Sequence, residues 1–231
     1  MKTFAEHLFT SLEKGLQSLD PNDVYAIGLQ ILCEEDDLRR PALRLLANTR
    51  ANAAAHSPIN GQGGRGIASD ALEAQWADAF WTEKCLTGVG IEYPWFEGEA
   101  ADKAGLPLRK AWIKELGLWY SDSLEEKDFE AAMQLGEQIG AQFDELCLDA
   151  ARRLHAVITA RCGHDLPIIF FSRESPDHES IALTFLANPN ELLGGYAAFI
   201  RASCGEQWAS LFGSRIDKQK TSLAELLQEI G

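Results

Sequence analysis

The sequence predicts an α+β fold: one domain over residues 1–231, with an antiparallel sheet of two hairpins packed against several helices. Apolar residues recur at steps of three and four over residues 4–19 and again over 123–161, the spacing of one buried helix face. Short aliphatic and aromatic runs at 24–33, 41–47, 167–172 and 180–186 are bounded by turn residues, as strands are. These runs group as two hairpins separated by a helical middle, which gives an α+β fold.

Phe4, Leu8, Leu12, Leu16 and Leu19 form the apolar face of a first helix that stops before Asp20-Pro21-Asn22. Val24–Cys33 reads as a buried strand. Glu34-Glu35-Asp36-Asp37 is an acidic turn, and Pro41–Ala47 returns beside the first strand as a hairpin. Residues 57–68, centred on Gly61-Gln62-Gly63-Gly64, read as a flexible Gly-rich loop. They lack the Gly-Lys-Ser/Thr ending of a phosphate loop and the Gly-x-Gly-x-x-Gly order of a dinucleotide site.

Ser69-Asp70 predicts the cap of a helix bearing Leu72, Trp76, Ala79 and Phe80. Residues 91–98 are an irregular aromatic connector, and a further helix is expected over Leu108–Leu118. The longest periodic segment, about Ser123–Arg161, carries Phe129, Met133, Gly136, Gly140, Phe143, Cys147, Ala150, Leu154 and Ile158 on one stripe. Gly136 and Gly140 on that stripe predict close approach of another backbone. Gly163 reads as the C-terminal cap.

Pro167–Ser172 and Ser180–Leu186 read as the second hairpin, turning at Ser175-Pro176-Asp177. Asn188-Pro189-Asn190 starts a helix to about Ala202. A last helix follows Thr221, which stands one residue out of register for a capping box with Glu225.

Apolar residues make up 46% of the 231 and charged residues 24%, ordinary globular values that exclude disordered, collagenous and disulfide-scaffold classes. No run approaches the roughly 18 apolar residues of a membrane span. Met1–His7 has no apolar segment of a signal peptide, so a cytoplasmic location is expected. Cys33, Cys85, Cys147, Cys162 and Cys204 are odd in number and widely spaced, which reads as reduced thiols.

Lys and Arg total 21 against 35 Asp and Glu, a net charge of −14. Such a surface repels nucleic-acid phosphates and anionic membranes, so neither is an expected partner, whereas a basic protein would be attracted and steered.

The motifs of chemistry are sparse. His7, His56, His155, His164 and His178 are scattered, without the spacing of a zinc site. Neither a metal nor another cofactor is expected. Cys162-Gly163-His164-Asp165 could pair a thiol with an imidazole, as a hydrolase or transferase would, but also reads as helix-ending punctuation. Asp177-His178-Glu179 resembles an acid–base cluster placed in a turn.

Five of the six tryptophans lie between Trp76 and Trp119 and serve either a core or a recognition surface. Trp95, Trp112 and Trp119 are the candidate anchors. Glu126, Glu130, Glu137 and Asp144 follow one another at steps of four and seven, forming a carboxylate row beside the long helix's apolar stripe. That row is either a solvated face or a docking face for Lys and Arg.

One resemblance adds to this. Tyr25-Ala26-Ile27-Gly28-Leu29, Ala47-Asn48-Thr49, the Trp76–Trp81 segment, Ile168-Ile169-Phe170-Phe171-Ser172 and Leu186-Ala187-Asn188-Pro189 occur in an order that resembles an uncharacterised bacterial family, a domain of unknown function. The resemblance covers residues 4–200 and carries no site residues. Similar small acidic proteins are often encoded beside toxins of bacterial competition systems and look like immunity proteins. The resemblance therefore implies a non-enzymatic toxin inhibitor that occludes a basic active site. The alternatives are an enzyme using Cys162 and His164, and a homodimeric scaffold whose aromatic block is the self-interface.

Overall fold

Thr3 opens the chain's first helix with a reciprocal cap: its side chain accepts the Glu6 backbone N–H, and the Glu6 carboxylate accepts that of Thr3. This computed structural model describes residues 2–58, 67–81, 84–172, 176–214 and 216–230. The elements in chain order are α1 (Phe4–Leu16), β1 (Val24–Cys33), β2 (Pro41–Thr49), α2 (Arg50–His56), α3 (Ala71–Trp76), β3 (Thr87–Val89) and α4 (Gly105–Glu115). There follow α5 (Asp122–Lys127), α6 (Phe129–Cys162), β4 (Ile168–Phe171), α7 (His178–Ala187), α8 (Gly194–Cys204), α9 (Glu206–Ala209) and α10 (Leu223–Ile230). The α+β class stands, with one long helix.

The first hairpin forms as the sequence predicts, with β1 antiparallel to β2 from Val24↔Thr49 to Cys33↔Pro41. The second does not. Ser180–Leu186, expected as its returning strand, lies within helix α7, and β4 lies parallel to β1 with Ile27 opposite Ile168. The sheet is therefore mixed, in the order β3-β2-β1-β4.

Residues 180–187 are buried on every side, so their apolar run has no period to separate helix from strand. The local signal lies upstream, in Asp177-x-x-Ser180. The Asp177 side chain accepts the Ser180 N–H at 2.7 Å, and Ser180 Oγ accepts that of Asp177 at 3.1 Å. Once helical, α7 does for β4 what a strand would have done. Thr184 Oγ1 accepts the Phe170 N–H, while Asn188 accepts from Ile168 N and donates to Ile168 O. Thr184 and Asn188 lie about one turn apart, so one face of the helix caps the polar edge of the strand.

Several boundaries also move. The expected 108–118 helix is α4, three residues earlier. The helix expected from Asn188 is a short 3₁₀ turn, Asn190–Leu192, followed by α8. Ser222, not Thr221, caps α10, through reciprocal bonds with Glu225. Residues 59–66 of the Gly-rich loop lie outside the described residues.

The long segment is two helices. Asp128 leaves the helical conformation (φ −148°, ψ 79°), ends α5 and caps α6 by accepting the Ala131 N–H. From Phe143 to Ile158 the α6 stripe is buried against α1 and the sheet. Gly163 closes the helix in the left-handed region, φ 75°, as expected. Among the described residues no helix is long and apolar enough to cross a membrane.

The two helix glycines differ. A Cβ on Gly136 would lie 2.6 Å from Leu38 Cβ, whereas a Cβ on Gly140 would meet nothing within 4 Å. Close approach therefore occurs at Gly136 alone, and it is made by the Leu38 side chain of the β1–β2 loop and not, as predicted, by another backbone. Gly136→Leu is expected to lower the unfolding free energy measured in urea by about 1–3 kcal/mol through overpacking. Gly140→Ala should be neutral or raise it by about 0.5–1 kcal/mol. Equal effects at the two positions would contradict the packing described.

Candidate functional site

The β1–β2 loop reaches its tip at Glu35 and Asp36, both left-handed (φ 54° and 58°), with Asp37 N–H donating to Glu34 O at 3.0 Å. Two successive left-handed residues suit the right-handed twist of a hairpin, but Asn-Gly is the usual pair there. Carboxylate residues hold this conformation at a cost of order 1 kcal/mol each, sustained by the surroundings.

Those surroundings are polar contacts. Glu34 is buried, and its Oε1 accepts the backbone N–H of Glu92 at 2.7 Å and of Tyr93 at 3.0 Å. Arg109, also buried, stands 3.7 Å from Glu34 Oε2 and donates to Gly90 O and Pro41 O. Burial lowers the Arg109 pKa against the pull of Glu34. Arg39 binds Asp37 and reaches Asp122 at 2.5 Å, with its guanidinium 5.0 Å from the Tyr120 ring centre. Burial would raise the Asp37 pKa, but the hydrogen bonds from Arg39 outweigh it and hold the carboxyl below its usual range. Arg40 joins Glu35, Asp37 and Glu92. The tip is thus tied both to the 91–98 connector and to α5.

Two concavities flank it and share Asp37 and Arg39. One, of about 430 Å³, runs between the loop and α4, with Arg40, Arg109, Lys110 and Trp119 among its walls. The other, of about 250 Å³, runs between the loop and the start of α6, where Glu35, Asp36 and Glu125 face Phe129 and Met133. Phe129 is 64% exposed and Met133 36%. The sequence stripe places both in the core; the structure leaves this end of the stripe uncovered. A periodic stripe marks a helix face but does not show which of its turns another element covers.

The seven anchors expected from sequence are not brought together. Glu130 and Glu137 are exposed on α6, and Glu126 is exposed on α5 beyond the Asp128 break. Asp144 leaves the row and is half-buried toward Asp177 and Glu179; burial foremost, then those two charges and Glu145, pushes its pKa up to about 7.

Trp112 packs against Phe4 and Phe143 as part of the core. Trp119 is half-buried under the Lys110 ammonium, 4.6 Å from its ring centre. Trp95 is 83% exposed, while Trp76 and Trp81 are buried. Of the five tryptophans in this block, Trp95 alone is exposed.

The candidate chemistry at 162–165 and 177–179 takes another form. His164 Nδ1 lies 3.0 Å from Cys162 O, in the helix-end turn, and burial raises the Cys162 thiol instead of activating it. Asp177 and His178 belong to the α7 terminus and not to a hairpin turn; His178 stacks on Trp208 at 3.9 Å. Among the described residues no group of three His, Cys, Asp or Glu is placed to hold a metal ion. No family model, curated protein or solved structure matches the chain.

Proposed function

We propose that this chain is a non-enzymatic binding protein that neutralises a basic protein, acting as an immunity protein against a toxin. The observation that carries the reading is the groove between the hairpin tip and α6. There two exposed apolar side chains, Phe129 and Met133, are edged by Glu35, Asp36 and Glu125, with Glu130 on the same helix. An apolar strip with an acidic rim suits a partner with a basic rim. The net charge of −14 supports the same reading.

Mechanistically, the rim carboxylates occupy positions that an anionic substrate would take in a basic cleft. Phe129 and Met133 supply the desolvated centre of the contact. Charge steering makes association fall steeply as salt rises.

The test is growth under expression of a toxic neighbouring reading frame. Co-expression of this chain is expected to rescue growth; failure to rescue would overturn the reading. Phe129→Ser with Met133→Ser is expected to weaken the complex by about 2 kcal/mol or more, roughly 30-fold. Because both side chains are exposed, the melting midpoint should barely change. Glu130→Lys with Glu137→Lys should chiefly slow association. If size-exclusion mass instead shows a homodimer that the Phe129/Met133 variant dissociates, the groove is a self-interface and the scaffold reading replaces this one.

A further inference from the structure

The connector at 91–99 is irregular in outline yet held at four backbone N–H groups. Glu34 accepts the N–H groups of Glu92 and Tyr93, and Glu99 Oε2 accepts those of Trp95 at 2.6 Å and Phe96 at 3.2 Å. Each carboxylate has a buried arginine beside it, Arg109 for Glu34 and Arg44 for Glu99. Burying two such charge pairs is costly and fills space less well than apolar side chains would. What they accomplish is to set the backbone of a loop whose most prominent side chain, Trp95, stands 83% in solvent, with Tyr93 47% exposed nearby. A large aromatic on a fixed backbone loses little conformational entropy when it binds.

We infer that Trp95 is a preorganised anchor that takes an arginine side chain of the basic partner. The guanidinium lies over the indole face, with the exposed Glu97 two residues on to meet its charge. The loop already holds one arginine in this manner on its inner side: Arg44 sits 4.7 Å from the Phe96 ring centre and bonds to Glu99. The hairpin tip is bonded to this loop through Glu34 and Arg40. The inference rests on the proposed basic partner for the ligand's charge, but its test does not require that partner.

The probe is a hexa-arginine peptide titrated into ¹⁵N-labelled protein at physiological ionic strength. The Trp95 indole N–H signal, identified by its loss in Trp95→Phe, is expected to shift on binding. Trp95→Ala is expected to weaken binding about ten-fold while leaving the melting midpoint unchanged. Hexa-lysine should bind more weakly than hexa-arginine, because a guanidinium stacks and an ammonium does not. General attraction to an acidic protein predicts no loss on this neutral substitution, so unchanged affinity in Trp95→Ala, or a stationary Trp95 indole, overturns the inference. Trp95-dependent peptide binding together with failed growth rescue would remove the immunity reading and leave the anchor standing. Rescue with Trp95-independent peptide binding would do the reverse.

Discussion

Replacing Glu99 with Gln is expected to cost about 3–5 kcal/mol, a large part of the 5–15 kcal/mol that stabilises a typical domain. The Glu99 side chain is fully enclosed and Arg44 almost so, with Arg44 Nε 2.6 Å from Glu99 Oε1. A glutamine preserves shape but leaves the guanidinium buried without a counter-charge. It also turns an amide donor toward either Arg44 or the N–H groups of Trp95 and Phe96. Urea denaturation gives the size of the loss, and hydrogen exchange at Trp95 and Phe96 shows where it falls. Arg44→Met added to Glu99→Gln removes the stranded charge and should recover part of the stability. If the double variant is no better than Glu99→Gln alone, the pair is not the source of the cost.

Asp144→Asn should stabilise the protein at neutral and alkaline pH and do little in acid. The folded chain holds the Asp144 proton up to about pH 7, whereas the unfolded chain releases it near the ordinary value of 3.8. Between those values the folded state binds more protons than the unfolded state, so stability falls as pH rises through the window. Above pH 7 the full penalty of a half-buried carboxylate facing Glu179 and Asp177 is present. Asparagine removes that ionisation at nearly constant volume. The gain near pH 8 is expected to be on the order of 2–4 kcal/mol, shrinking toward zero near pH 4. Glu179, whose pKa burial and then Asp177 raise, should leave a residual slope of the same sign. Stability curves of variant and parent that run parallel from pH 4 to 8 would contradict this account.

Local chemistry was legible wherever one segment holds both the signal and its consequence. The period of Phe4, Leu8, Leu12 and Leu16 implies a helix, because those side chains share a face whatever covers it. The β-rich runs at 24–33 and 41–47, with an acidic turn between, suffice for a hairpin, and Gly163 stops a helix by its own left-handed backbone. The net charge of −14 belongs to composition and needs no fold. Long-range choices were not legible. Residues 180–187 carry an apolar run that serves helix or strand equally; the free edge of β4 beside Thr184 and Asn188 favours the helix. The carboxylates Glu34 and Glu99 look in sequence like any others among 35 acidic residues, yet burial and a distant arginine make them the struts of the 91–99 loop. Phe129 and Met133 share a periodic stripe with Phe143, and only the placement of the β1–β2 loop leaves the first two in solvent while the third is sealed. Spacing along a chain determines which side chains share a face; what that face meets depends on elements far away in sequence, and only the tertiary structure decides it.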